Sequence, residues 1–413
     1  MNKRNLTSVA GYRPLVAARA ISAIVLWLDF TLIFSLLSFQ WRAEAMVVGL
    51  ASALYGLPGL IVGPYLGSLA DRSNPVHMLI GSYLARAITS GLLIFAPNVH
   101  IFVVLVLLKG LANVGAMPAE QVLIRSMLSR EQAVENAGIM SAVDQLTKIS
   151  APLVAATMTG LFRPESGLWL STILAFFGIG CLCWLLPCSH KVDATRRAAG
   201  KAGQFGALLA LLRENIQFRF AFFSVVLLSA VLGLYDPLLT LFLRGQVMPA
   251  STFGLIVSCT AGGGLCGALI FRRVYVRHGQ RLAATGLAGF GLTVLLPGIL
   301  ASQDVAIPAS LLLVLWALNG CFYGLSAMSF GVAVQQQCPQ EYIGNISAAA
   351  RSVQLAALVL GPLLGASMAQ RLGIPLVFVT SGSVAAIVGL LLVARSRQSP
   401  THVSATSGSA EGP

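Results

Sequence analysis

The hydrophobic positions of this chain fall in long unbroken runs rather than in the narrow stripe of an amphipathic helix. Runs bounded by Gly, Pro or charged residues cover about 15–39, 46–66, 78–97, 101–125, 137–161 and 168–187. After a polar stretch, six more cover about 218–243, 253–271, 282–300, 306–332, 345–369 and 375–394. A helix needs about 20 apolar residues to cross a bilayer, and each run comes close to or exceeds that. The pattern predicts an all-α polytopic membrane protein with twelve transmembrane helices in two six-helix bundles. The N-terminal bundle is expected over 1–187, a cytoplasmic linker over 188–217, the C-terminal bundle over 218–397 and a disordered cytoplasmic tail over 398–413. Within the linker, Phe205 to Leu212 is amphipathic and is expected to lie on the membrane surface.

Composition agrees. The 413 residues are 56% hydrophobic and 10% charged, with a mean hydropathy of +0.82. Soluble domains carry about 25% charged residues. A water-soluble enzyme, a disordered chain and a disulfide-stapled fold are all excluded on this ground. Met1 to Arg13 is too polar, and the run after it too long, for a cleaved signal, so the first run is expected to stay. The seven cysteines lie mostly inside apolar runs without metal-ligand spacing to His and read as small core residues.

A net charge of +13 raises the question of nucleic acid, but no block of Lys/Arg with interleaved aromatics exists. The basic residues sit instead between the runs. With the N-terminus inside, nineteen Lys/Arg fall on the inner side and only Arg42, Arg163, Arg244 and Arg371 on the outer side. This asymmetry predicts that both termini are cytoplasmic; the membrane expected is a bacterial inner membrane. The remaining four cations, Arg86, Lys109, Lys148 and Arg351, lie inside runs.

The halves resemble each other. The fifth run carries Asn136, Gln145 and Ala151-Pro152, and the eleventh carries Asn345, Gln354 and Gly361-Pro362. Such duplication of a six-helix unit makes the bundles pseudo-symmetric and typifies secondary transporters. Between the second and third runs stands Gly67-Ser68-Leu69-Ala70-Asp71-Arg72. This segment resembles the G-x-L-a-D-r loop of the major facilitator superfamily, although Ser73 to His77 depart from that family's basic continuation. Ala18-Arg19-Ala20-Ile21-Ser22 with Asp29, Pro118-Ala119, and Cys338 to Asn345 are similar to the drug and siderophore exporter branch. The antiporter Gly-Pro motif is degraded to Ser150-Ala151-Pro152 in the fifth run and better kept as Gly361-Pro362-Leu363-Leu364-Gly365 in the eleventh. Small-xxx-small spacings at Gly59/Gly63/Gly67, Gly263/Gly267 and Gly361/Gly365 fit closely packed helices.

The resemblance implies alternating access, with the inner gate held by Asp71 at the N-terminus of the eleventh helix, where a carboxylate is favoured. Arg72, Glu120 and Arg125 are expected beside it, with Glu120 contacting Arg125 or Arg72. It also implies a central cavity lined by helices one, four, seven and ten. The substrate residues expected there are Asp29, Lys109, Asn113, Asp236, Asn319 and Tyr323, with Arg351 from helix eleven. Each intramembrane charge costs about 2.5–3.5 kcal/mol, so these groups must pair or face water. Asp29 and Asp236 are the expected proton-coupling carboxylates, Asp29 first, with a fixed Asp29–Lys109 ion pair as the rival reading. Pro237 is expected to break helix seven beside Asp236. Asp144 and Lys148, spaced i, i+4, are expected to form a structural ion pair.

The expected function is export of a small polar organic molecule, siderophore or drug-like, by proton antiport. The partners are that substrate, protons and the bilayer, with no nucleic acid and a monomeric state. A proton-coupled importer and a non-transporting sensor or scaffold remain alternatives. No P-loop, H-E-x-x-H or G-x-S-x-G motif is present, so no enzyme, cofactor or metal site is expected.

Overall fold

In lipid every backbone N–H must find its partner inside its own segment, so apolar runs of this length become helices. The computed structural model describes residues 6, 9, 11–70, 72–163, 165–185, 204–339 and 343–398. Among them the regular elements are all helical. The first half comprises α1 (Tyr12–Ser35), α2 (Ala45–Ile61), α3 (Gly63–Ala70), α4 (Pro75–Ile94), α5 (Val99–Val114), α6 (Ala116–Met127), α7 (Arg130–Leu161) and α8 (Ser166–Cys183). The second comprises α9 (Gln204–Glu214), α10 (Ile216–Tyr235), α11 (Leu239–Gly245), α12 (Ser251–Ser302), α13 (Ala309–Gln337), α14 (Ile343–Leu372) and α15 (Ile374–Gln398). Side-chain caps start several of them. Asn74 with Pro75 opens α4, Asn98 opens α5, a Ser129/Gln132 capping box opens α7, and Asn215 opens α10.

Among the described residues ten segments are long and apolar enough to cross a membrane, with α5–α6 and α10–α11 counted once each and α12 twice, or eleven when α2 and α3, bent by 42° at Val62, are taken as one span. The expected fifth span is α7, 32 residues long but diluted by its polar residues and not among those ten. The run at 101–125 is divided into α5 and α6 at Gly115. The run at 218–243 is broken at Pro237, where a 3-10 turn over Asp236–Leu238 separates α10 from α11. The runs at 253–271 and 282–300 form two spans, Ser251–Val274 and Arg281–Ser302, within the helical stretch α12. Gly263 opposes Ala317 while Gly286 opposes Ser326. A straight helix would set 263 and 286 roughly 35 Å apart, so α12 folds back between its two halves.

Within the first half, α1 packs on α7 and α8, and α4 on α5 and α8; within the second, α10 packs on α13 and α14, and α12 on α13 and α15. Leu208 of α9 is buried with Phe218, Ile346 and Ala349, so α9 closes one end of the C-terminal bundle.

The bundles meet along two seams, α2 on α14 and α7 on α12. Both are tight at one end. A Cβ at Gly49 would lie 2.6 Å from the Pro362 carbonyl oxygen, and one at Gly254 would lie 2.3 Å from that of Pro152. The last turn of α1 is π-helical over Leu36–Gln40. There the Ser38 and Thr240 hydroxyls stand 2.5 Å apart, and Arg244 donates to the carbonyls of Ser38 (2.7 Å) and Ala43 (3.3 Å). The α7–α12 seam still holds at Ser258, which donates to the Ile149 carbonyl at 2.8 Å, and farther along the seams loosen: Gly59 meets Leu355 at 3.8 Å, and Gly138, Gly262 and Gly344 face open space. The 42° bend carries α3 away from α14 and onto α6. The molecule is sealed at the end bearing the α1–α2 loop and parted at the other.

Candidate functional site

Three groups of side chains occupy the middle of the N-terminal bundle. The first lies wholly inside it. Asp29 on α1 and Lys109 on α5 form an ion pair at 2.5 Å, and both side chains are completely buried. Ser90 donates to one Asp29 oxygen at 2.9 Å and Ser171 to the other. Lys109 also donates to the Arg86 carbonyl at 2.9 Å, and the Arg86 guanidinium is held by the hydroxyl and carbonyl of Ser22. Asp29 and Lys109, expected to line the cavity, therefore reach no accessible surface in this conformation. Ser22, Val25 and Asp29 share one face of α1 that is buried against α4 and α8, and that face dictates where the carboxylate points.

The second group sits nearer the parted end. Arg19 on α1 donates to Asp144 on α7 at 2.8 Å and lies 3.5 Å from Glu120 on α6. Glu120 is thus engaged by Arg19, not by Arg125 or Arg72 as expected. The expected Asp144–Lys148 pair is likewise absent among the described residues. A guanidinium from the neighbouring helix offers Asp144 a forked donor, which an ammonium on the same helix cannot match.

The third group forms a continuous wall on the other face of α1. The Lys148 ammonium lies over the Trp27 ring at 5.8 Å. Trp27 meets Phe30 edge-on at 5.8 Å, and Phe30 meets Tyr55 of α2 at 6.1 Å. Asn113 of α5 donates to the Tyr55 hydroxyl at 3.0 Å. All five side chains are half-buried. One turn toward the sealed end, Phe34 is buried. The wall therefore lines the place where the bundles begin to part. Lys148 precedes Ile149, whose carbonyl makes the α7–α12 seam contact, and Arg351 is one turn beyond Leu355 on the α14 seam. Arg351 is exposed and has no ion-pair partner among the described residues.

On the opposite bundle, Asp236 occupies the 3-10 turn between α10 and α11, which packs against α2 and α14. Its carboxylate is half-buried and has neither a hydrogen bond nor a cation within 4 Å among the described residues. Tyr323, 39% exposed, lies within its electrostatic reach. Asn319 is turned inward instead, donating to Thr293 at 2.9 Å and accepting from Tyr235 at 3.4 Å. It belongs to the packing of the C-terminal bundle, not to its accessible face.

The family model described as the Major Facilitator Superfamily matches residues 19–355 and 221–412. The chain belongs to that superfamily. It is 24% identical over 399 residues to the uncharacterized MFS-type transporter YfiS of Bacillus subtilis, covering 95% of this chain and 94% of that one. It is 22% identical to macrolide efflux protein A of Streptococcus pyogenes, covering 91% and 93%. The nucleoside transporter NupG has a similar fold, with a TM-score of 0.74 at 13% identity over 94% of this chain and 99% of that one.

For a member of this superfamily the gate residues carry particular interest. Asp71 lies outside the described residues. Arg72 is exposed and its backbone N–H closes a turn on the Leu69 carbonyl at 3.0 Å; Arg125 is also exposed. Neither forms an ion pair among the described residues. Trp27, Phe30, Tyr55, Ser90, Ser171 and Arg244 carry no motif or spacing in the sequence that marks them as site or gate residues. The aromatics looked like ordinary apolar positions and the serines like small packing residues. Arg244 was counted only for its side of the membrane.

Proposed function

We propose that this transporter exports a small, drug-like organic molecule by proton antiport, with Asp236 as the carboxylate that carries the proton. A single observation carries the reading: Asp236, held at a helix break between the two bundles, has no cation or hydrogen-bond partner among the described residues. Burial raises the cost of its charge, and the absent cation leaves protonation as the way to relieve it. Asp29 is the weaker choice, because Lys109, Ser90 and Ser171 already satisfy its charge. With the termini placed in the cytoplasm by the Lys/Arg asymmetry, the sealed end faces outward and this conformer takes substrate from the inside. The similarity to a macrolide efflux protein supports export.

Rocking of the bundles about the midplane would then break the outer seal and form an inner one. One proton crossing about 100 mV and one pH unit releases roughly 3.7 kcal/mol, enough for a several-hundredfold gradient. Inside-out vesicles test the reading. Asp236→Asn should abolish uptake driven by an acid-inside gradient while retaining substrate exchange at equal concentrations. Full gradient-driven uptake by that variant would overturn it.

A further inference from the structure

Lys148 lies near the middle of α7, and its ammonium has three donors to satisfy. Among the described residues it makes no hydrogen bond and no ion pair, because Asp144, the acid one turn away, is taken by Arg19. Its contact is the indole face of Trp27. A cation over an aromatic ring gains only about 0.5–2 kcal/mol, and the ammonium itself is not buried, so its donors stay open to water or to a ligand. At the other end of the same wall, Asn113 gives its amide N–H to Tyr55, and its carbonyl oxygen is buried with no partner. Buried polar atoms are rarely left without one. Between these two unsatisfied groups run the rings of Trp27, Phe30 and Tyr55, in mutual contact and partly accessible.

We infer that this wall is the substrate-recognition surface and that it takes an aromatic anion: a flat ring system against Trp27 and Phe30, an acidic group on Lys148, and a donor group toward the Asn113 carbonyl oxygen. The inference rests on the export reading for its direction, but the binding it describes stands by itself. The intramembrane charges favour the same sign. Asp29 is matched by Lys109 and Asp144 by Arg19, which among the described residues leaves Arg86, Lys148 and Arg351 without an acid partner against Asp236 alone. Asp236, on the other bundle, faces a substrate that the opposite wall holds by its acidic end.

The test uses the purified full-length protein in nanodiscs and two fluorescent probes of one shape, 6-amino-2-naphthoate and its uncharged carboxamide, with affinities from equilibrium dialysis. The wild type should bind the naphthoate at least tenfold more tightly than the carboxamide. Lys148→Met should erase that preference while leaving carboxamide binding within about twofold, and Lys148→Arg should keep it. Trp27→Leu should weaken both probes together. Thermal unfolding of each variant separates lost binding from lost folding, and the conservative arginine variant keeps the test valid if the methionine variant unfolds. A wild type that binds neither probe, or a folded Lys148→Met that still prefers the naphthoate, overturns the inference. Binding is read without a gradient, so failure of Asp236→Asn to affect driven uptake would refute the antiport reading alone.

Discussion

Arg19 on α1 takes Asp144 on α7 at 2.8 Å, and that contact leaves Lys148, one turn farther along α7, with the Trp27 ring as its neighbour. The pairing on one helix surface that a spacing of four residues favours, worth only about 0.2–0.5 kcal/mol, loses to a guanidinium supplied across a helix interface. The substrate contact proposed for Lys148 depends on that competition.

Removing Arg19 should therefore silence Lys148. In Arg19→Gln the released Asp144 carboxylate is expected to pair with Lys148 and lower naphthoate affinity severalfold. Arg19→Gln combined with Asp144→Asn should restore it. A double-mutant cycle on binding measures the coupling, and additive losses would refute it.

Asp29→Asn is expected to act on stability more than on coupling. It leaves the completely buried Lys109 ammonium without its counter-charge, a change that costs about 3–5 kcal/mol in buried pairs. Adding Lys109→Met should recover most of the loss. Unfolding midpoints of the two variants decide the matter, since a cavity-facing Asp29 would give a stable single variant with altered transport.

The sealed end should open when Arg244 is shortened. Arg244→Gln gives up a charge-assisted grip on the Ser38 and Ala43 carbonyls, typically about 1.5–3 kcal/mol per bond to a charged group before screening at this partly accessible site. In a background without native cysteines, a reporter cysteine at Phe34 should react faster with a membrane-impermeant thiol reagent added from that side. An unchanged rate would show that Arg244 does not hold the seal.

Gly254→Val should do the same by crowding. Even the first added carbon would lie 2.3 Å from the Pro152 carbonyl oxygen, which is backbone and cannot rotate away. The variant is expected to favour the conformer open at that end, with gradient-driven flux reduced at least tenfold and reporter reactivity increased.

Voltage dependence offers a further check. If one anion leaves as one proton enters, each cycle moves two charges through the potential, about 4.6 kcal/mol per 100 mV. Naphthoate flux should then rise more steeply with imposed potential than flux of the neutral carboxamide. Equal slopes would show that the anion's charge does not cross with it.

The sequence alone determined the helical class and most of the spans, because hydropathy is a property of composition along the chain and lipid leaves helix as the form for such runs. The break at Pro237 was legible as a possibility, since a ring without an N–H frees a carbonyl one turn back, but Pro58, Pro152, Pro297 and Pro362 stand inside helices that continue past them. Which charges meet was another matter. The Asp29–Lys109 pairing stood only as a rival possibility, while the partners of Asp144 and Glu120 were misjudged, because each lies on α1 at Arg19, more than a hundred residues away. The fold-back of α12 and the seal at Ser38 and Arg244 also arise from contacts between helices distant in the chain. Helix periodicity fixes the face of its own helix on which a side chain lies, but only packing fixes what stands opposite. That is why tertiary structure, and not spacing, made Lys148 an unpaired cation at an aromatic wall.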